Sequence, residues 1–216
     1  MLIGRNARQK AYVKPSFKGC VVVQGQTHPT YVDLIRESWV GYQIIFSTWE
    51  RTDKSVYNES DIVIYNPIPS DCGIKNLNLQ KVSTINGFLK AKELGWNRAL
   101  KVRSDFCTTT ADGLFSLFDK NKLNLHAWWG SYITDFYMEG EIDDIINLFE
   151  VDIHREYPEW HLTKKLYESG LNEKSVCIVN RLEFNKADIR WERAGYWFSQ
   201  HVNETVAMDV LPEKWK

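Results

Sequence analysis

Lys101-Val102-Arg103-Ser104-Asp105 is the stretch that decides how this chain is read. It closes a strand-like run, Ala99 to Arg103, and leads into the polar Thr108-Thr109-Thr110. Three similar runs come earlier: Val21-Val22-Val23, Gln43 to Ser47, and Asp61 to Tyr65. Helical patterns separate the first run from the second and the third from the fourth. In an open α/β sheet, ligands bind outside the carboxyl ends of the strands. An Arg and an Asp two residues apart at such an end suit a phosphate-bearing ligand, with or without a metal.

Working outward, Gly19 to Gln24 predicts a buried first strand, and the loop Gly25 to Pro29 follows it. Thr30 is placed to cap a helix running to about Trp39, with Val32, Ile35 and Trp39 on one face. Tyr42 to Ser47 and Asp61 to Tyr65 predict the second and third strands, the latter stopped by Asn66-Pro67-Ile68-Pro69. Leu77 to Leu94 predicts the longest helix, closed by Gly95. Val82, Ile85 and Leu89 are its expected core stripe. Gln80, Thr84, Gly87 and Ala91 form a small or polar face that can approach a neighbouring strand or a ligand closely. Leu100 to Arg103 is the fourth strand, Ala111 to Asp119 a short helix, and Leu125 to Trp129 a fifth strand ended by Gly130. Thr134 to Gly140 reads as a connecting segment, followed by helices from about Glu141 to Phe149 and, with Pro158 in its first turn, through Trp160 to Leu166. Val176 to Val179 is a last strand-like run. This order predicts an α/β sandwich.

Composition narrows the class. The chain has 216 residues, enough for one domain with a sizeable core. A net charge of −1 gives no broad basic field, so nucleic acid is not an expected partner and any phosphate binding must be local. Cys20, Cys72, Cys107 and Cys177 form no C-x-x-C pair, which fits a reducing, cytoplasmic setting. No apolar stretch approaches the ~20 residues of a membrane span, and no signal-peptide pattern precedes the first strand. Most of the nine tryptophans are expected in the core.

Ser47-Thr48-Trp49-Glu50, Asn78-x-Gln80-x-x-x-Thr84-x-x-Gly87, Lys101-x-Arg103-Ser104-Asp105, Asp135 with Gly140, and Pro158-Glu159 occur in that order. The set resembles the WavE-type lipopolysaccharide-synthesis glycosyltransferases and the related small sugar transferases that large DNA viruses use on their capsid proteins. The resemblance covers roughly residues 20–165. It implies a GT-A-like (Rossmann-like) α/β/α sandwich with a central, mostly parallel sheet. It also implies a single domain with a nucleotide-binding half, about 19–105, and an acceptor-binding half, about 106–216. The implied reaction moves a hexosyl or deoxyhexosyl group from a nucleotide-sugar donor to a glycan or glycoprotein acceptor. Carboxylates on the acceptor side favour the inverting route.

The resemblance also assigns roles. Asp105 matches the last carboxylate of a D-x-D motif, which would hold Mn²⁺ or Mg²⁺ against the donor diphosphate; it reads equally as a turn or capping residue. Arg103 stands where that motif has its first Asp. A guanidinium binds no metal but grips phosphate on two prongs; its alternative is a salt bridge to Asp105 or Asp61. Gln24 and Gly25, then Thr48 and Trp49, end the first two strands, where a nucleoside would lie. Asn78, Gln80 and Thr84 belong to the long helix, whose N-terminus favours anions; helix capping is the alternative for Asn78. Asp135 and Glu159 are the candidate catalytic bases, Asp135 first. A sugar-phosphate nucleotidyltransferase and a non-catalytic nucleotide- or carbohydrate-binding module are the competing classes. The first would carry a Gly-rich basic loop after the first strand, whereas Gln24 to Pro29 holds one Gly and neither Lys nor Arg.

Overall fold

The computed structural model describes residues 16–27, 29–108, 111–128, 132–150, 157–171, 175–180 and 191–192. The lead-in through Pro15, Gly130 and most of the aromatic-rich C-terminal stretch lie outside them. In chain order the elements are β1 (Cys20–Gln24), α1 (Pro29–Ser38), β2 (Gln43–Trp49), β3 (Ile62–Asn66), α2 (Leu77–Glu93), β4 (Arg98–Arg103) and β5 (Cys107–Thr108). They continue with α3 (Ala111–Ser116), β6 (Leu123–Trp128), β7 (Tyr132–Glu141), α4 (Ile142–Phe149), α5 (Pro158–Glu168), β8 (Val176–Asn180) and β9 (Trp191–Glu192).

Seven strands form one sheet in the order β3-β2-β1-β4-β7-β6-β8, and β5 pairs with β9 separately. β3, β2, β1 and β4 are mutually parallel, as are β6 and β8, while β7 runs antiparallel to both its neighbours. The class is therefore α/β with a mostly parallel sheet. Alternation along β1 explains the layers: Val22 packs into a cluster with Ile45, Phe88, Ala91, Ile145 and Leu162, under α2, α4 and α5. Val21 and Val23 pack the other way with Val32, Ile35, Trp39 and Leu114, under α1 and α3. Strands covered on both faces read as unbroken apolar runs, which is why β1 was plain in the sequence.

Two expectations are corrected. The first concerns α2, whose buried residues are Leu77, Asn78, Ser83, Thr84, Gly87, Phe88 and Ala91, while Leu89 is 49% exposed. The small, polar face goes against the sheet, because only a thin face fits so near the strands. A Cβ on Gly87 would lie 2.4 Å from Val22 Cγ1 and 3.1 Å from Ser47 Cβ. The second concerns Tyr132 to Glu141, which is a ten-residue strand rather than a connector. Buried Thr134, Asp135 and Glu139 interrupt its apolar residues, so neither alternation nor an apolar run marks it.

The strand order reverses between β1 and β4, and this switch point positions the site. Gln24 at the end of β1 pairs in register with Ser47 on one side and Arg103 on the other. Because β7 is reversed, its first residues reach the edge where the parallel strands end: Val102 pairs with Tyr137, leaving Asp135 beside the end of β4.

Candidate functional site

The floor of the switch-point crevice is stitched by backbone. Gly25 N donates to Ser47 O at 3.0 Å, and Ser104 N donates to Gln24 O at 2.9 Å. Ser104 Oγ donates to Gln26 O at 2.6 Å. Gly25 has φ +109°, and a Cβ there would stand 3.2 Å from Ser104 Oγ, so this turn requires glycine. The Gln24 side chain reaches the long helix instead, its Nε2 donating to Ser83 Oγ at 2.9 Å.

Arg103 is the centre of the charges. Its Nε and Nη2 donate to the two carboxylate oxygens of Asp105 at 2.9 and 2.8 Å, and Nη1 lies 3.5 Å from Asp135 Oδ1. The guanidinium carbon is 5.3 Å from the Phe136 ring centroid and 5.7 Å from that of Phe106. Burial opposes the charge, but Asp135 and Asp105 outweigh it and hold the Arg103 pKa above the ordinary guanidinium value. The alternative partner considered for Arg103, Asp61, is bound to Arg36. Asp135 is 2% exposed, and its Oδ2 has no hydrogen-bond partner among the described residues. Such a group in a native fold calls for an explanation, and a ligand is one.

Lys101 was part of the motif but carried no assigned role. It is fully buried, and its ammonium donates to the backbone carbonyl of Asp135. Burial pushes its pKa down to about 8, with Asp135 opposing and Arg103 adding to the shift. The two-residue spacing of Lys101 and Arg103 in a strand could have revealed the pairing, since it puts both on one face.

Glu159 joins this group from α5. Pro158 starts the helix, Thr163 Oγ1 donates to Glu159 O at 2.7 Å, and the same hydroxyl accepts from Ile133 N at 3.0 Å. That bridge ties the first turn of α5 to the start of β7. Burial raises the Glu159 pKa and nearby Asp135 raises it further, against Arg103 and Lys75. Arg103, Asp105 and Asp135 are thus brought into contact, and Glu159 stands within electrostatic reach of Asp135 and Arg103. Asp143 and Glu139 are not: Asp143 pairs with Lys92 at 2.6 Å, and Glu139 accepts from Arg98 and from Asn124 at the opposite edge.

The remaining candidates are buried or held by local contacts. Thr48 is buried with its Oγ1 2.8 Å from Thr52 Oγ1, and the Tyr57 hydroxyl, which the sequence did not single out, lies by Thr27 and Thr48. Trp49 is 7% exposed, a core residue rather than an open stacking face. Asn78 makes no side-chain cap; its Nδ2 donates to Asp71 O at 2.9 Å and its N to Cys72 O at 3.1 Å. Gln80 Nε2 donates to Lys75 O at 3.4 Å. Both therefore brace the 71–76 loop, where Lys75 and Asn76 hold positive φ of 51° and 63°. Thr84 is fully buried under the sheet.

The donor set does not suit a divalent cation. Both oxygens of Asp105 are taken by a guanidinium, and a positive group stands where a second carboxylate ligand is needed. Among the described residues no three His, Cys, Asp or Glu side chains gather to hold a metal. Nor is any helix among them long and apolar enough to cross a membrane.

No family model matches the chain, and no curated protein matches it in sequence. Solved structures do match. One, a Desulfovibrio desulfuricans G20 protein with the provisional description nucleotide-diphospho-sugar transferase, superposes with a TM-score of 0.54. The match covers 76% of this chain and 80% of that one at 9% identity. The likeness is one of fold, and it agrees with the α/β class read from the strands.

Proposed function

We propose that this protein is a glycosyltransferase that moves a sugar from a nucleoside diphosphate donor to a hydroxyl of a glycan or glycoprotein. The observation that carries the reading is the charge cluster at the β1–β4 switch point. There Arg103 pairs with Asp105 and Asp135, Lys101 donates to the Asp135 carbonyl, and Glu159 lies within electrostatic reach. The shared fold of the Desulfovibrio protein supports it. The donor would lie over the ends of β1, β2 and β4, with residues of about 19–105 around the nucleotide. The acceptor would approach over β7 and α5, in the half from about 106.

The chemistry is a single displacement with inversion. The acceptor oxygen attacks C1 of the donor sugar and passes its proton to a carboxylate. The bond from C1 to the diphosphate oxygen breaks, and the electron pair leaves on the nucleoside diphosphate. Arg103 stabilises that charge as it develops. Glu159 suits the base: it is half-buried, and its raised pKa makes it a stronger proton acceptor than an ordinary glutamate. Asp135, which meets Arg103 through Oδ1 and Lys101 through its backbone carbonyl, orients these groups. The Mn²⁺ or Mg²⁺ of the resemblance enters no step, because the donor set does not suit it.

The test uses a panel of nucleotide-sugars without acceptor, then with candidate glycans. Slow donor hydrolysis supports a transferase. Binding without turnover supports a binding module, and pyrophosphate release from nucleoside triphosphate plus sugar phosphate supports a nucleotidyltransferase. Glu159→Gln should lose roughly 10²–10⁴-fold in kcat with donor affinity near wild type. In wild type the acid limb of the rate profile should lie above the ordinary glutamate value of 4.5, since the base works only when deprotonated. A fully active Glu159→Gln enzyme would remove it from the reaction.

A further inference from the structure

We propose that Asp105 is a positioning residue for Arg103 rather than a metal ligand, and that Arg103 meets the donor diphosphate without a divalent cation. This rests on the reading of a nucleoside diphosphate-sugar site. Asp105 binds the Nε–Nη2 side of the guanidinium through both oxygens, at 2.9 and 2.8 Å. Asp135 Oδ1 stands 3.5 Å from Nη1, and the rings of Phe106 and Phe136 pack against the group. The guanidinium is thereby fixed in plane and direction. A guanidinium has five N–H donors. With Nε and one N–H of Nη2 on Asp105 and one N–H of Nη1 on Asp135, one N–H on each of Nη1 and Nη2 is left for two oxygens of a phosphate, the two-pronged geometry in which arginine binds phosphate.

A cation at Asp105 would have to break this fork and then sit next to the displaced guanidinium. Two positive groups at contact distance repel strongly in a partly buried site. The sequence signature R-x-D therefore differs from D-x-D in mechanism and not only in spelling. One motif presents two carboxylates to a cation; the other presents a cation already held by its carboxylate.

Calorimetry on the full chain tests this, using UDP, GDP, ADP and CDP as probes, each in excess EDTA and again with MnCl₂. The expected result is that the nucleoside diphosphate that binds does so with similar affinity in both. A gain above about tenfold with Mn²⁺ overturns the inference while leaving the donor site in place. If none of the four binds in either condition, the donor reading fails and the inference with it. Two variants separate positioning from mere structure. Asp105→Asn should weaken binding equally in EDTA and in MnCl₂. In an Arg103→Ala background it should have no further effect, because its role runs through Arg103. Additive losses overturn the positioning role. The wild-type comparison stands even if a variant folds poorly.

Discussion

Arg103 and Asp105 are two residues apart, yet their fork is closed only because β4 ends between them. The strand sets the direction of Arg103, and the turn at Ser104, pinned to Gln24 O and Gln26 O, returns Asp105 to it. Arg103→Ala should lower donor affinity by about 10- to 100-fold, from roughly 1.5–3 kcal/mol for hydrogen bonds to charged groups. Arg103→Lys should stay close to Arg103→Ala, because an ammonium cannot hold Asp105 on one side and phosphate on the other. Donor titration by calorimetry checks both; full rescue by Lys would reduce the residue to a simple charge. The sequence placed Arg103 and Asp105 at a candidate site because the end of β4 is legible from its apolar run, whereas Asp135, inside a strand the pattern did not mark, was singled out by its place after the fifth predicted strand and by the resemblance. It left Lys101 without a role, because a lysine inside a strand reads by default as solvent-exposed. Only the neighbouring reversed strand shows what covers it.

At the scale of elements, α2 illustrates how a helix can be found correctly while only part of its contact face is read. Its ends were legible from the breaker before it and Gly95 after it. The close approach of Thr84, Gly87 and Ala91 follows from their small size as expected, but of the expected stripe Ile85 packs only partly against the core and Leu89 is exposed, while Phe88 fills the core instead. Gly87 is the point of closest approach. Gly87→Ala should destabilise the protein by about 1–3 kcal/mol despite its better helix propensity, because Val22 is backed by the sheet and cannot yield. A lowered urea midpoint with unchanged slope would agree; an unchanged midpoint would mean the α2–β1 packing gives way easily. β7 escaped notice for a related reason. Its buried polar residues serve the two ends of the strand, so the apolar pattern that announces β1 is missing.

For the whole molecule, Lys101 couples proton binding to both stability and donor affinity, in opposite senses. A lysine ordinarily keeps its proton to 10.5, whereas in the fold Lys101 loses it near 8. Between those values the unfolded chain binds more protons. Stability from this group should therefore rise with pH across that window, be complete above 10.5 and be lost as pH falls through 8. Donor affinity should do the reverse, weakening as pH rises through about 8, since the protonated amine adds to the positive field at the diphosphate. Urea midpoints and calorimetric affinities measured across this range should diverge in wild type. In Lys101→Met both should lose that part of their pH dependence. Retention of either trend in the variant would assign it to another group.

The paired strands β4 and β7 carry an ion pair near each extremity, Arg98 with Glu139 at one edge of the sheet and Arg103 with Asp135 at the other. A nascent chain zipping these two strands together has apolar neighbours that fit almost as well one pair of residues out of step, since such a slip keeps each side chain on its own face. The charges oppose the slip that sets Arg98 opposite Asp143: it separates both pairs and strands Arg103, Asp135 and Glu139 near a dry interior. The strand pair thus works like a lock with a tooth at each end, rejecting mispaired intermediates during folding. Removing the tooth remote from the donor crevice, in Arg98→Met, should introduce a slow refolding phase from trapped, out-of-step chains. Wild type should refold without that phase; identical traces for the two proteins would mean that apolar packing alone sets the alignment.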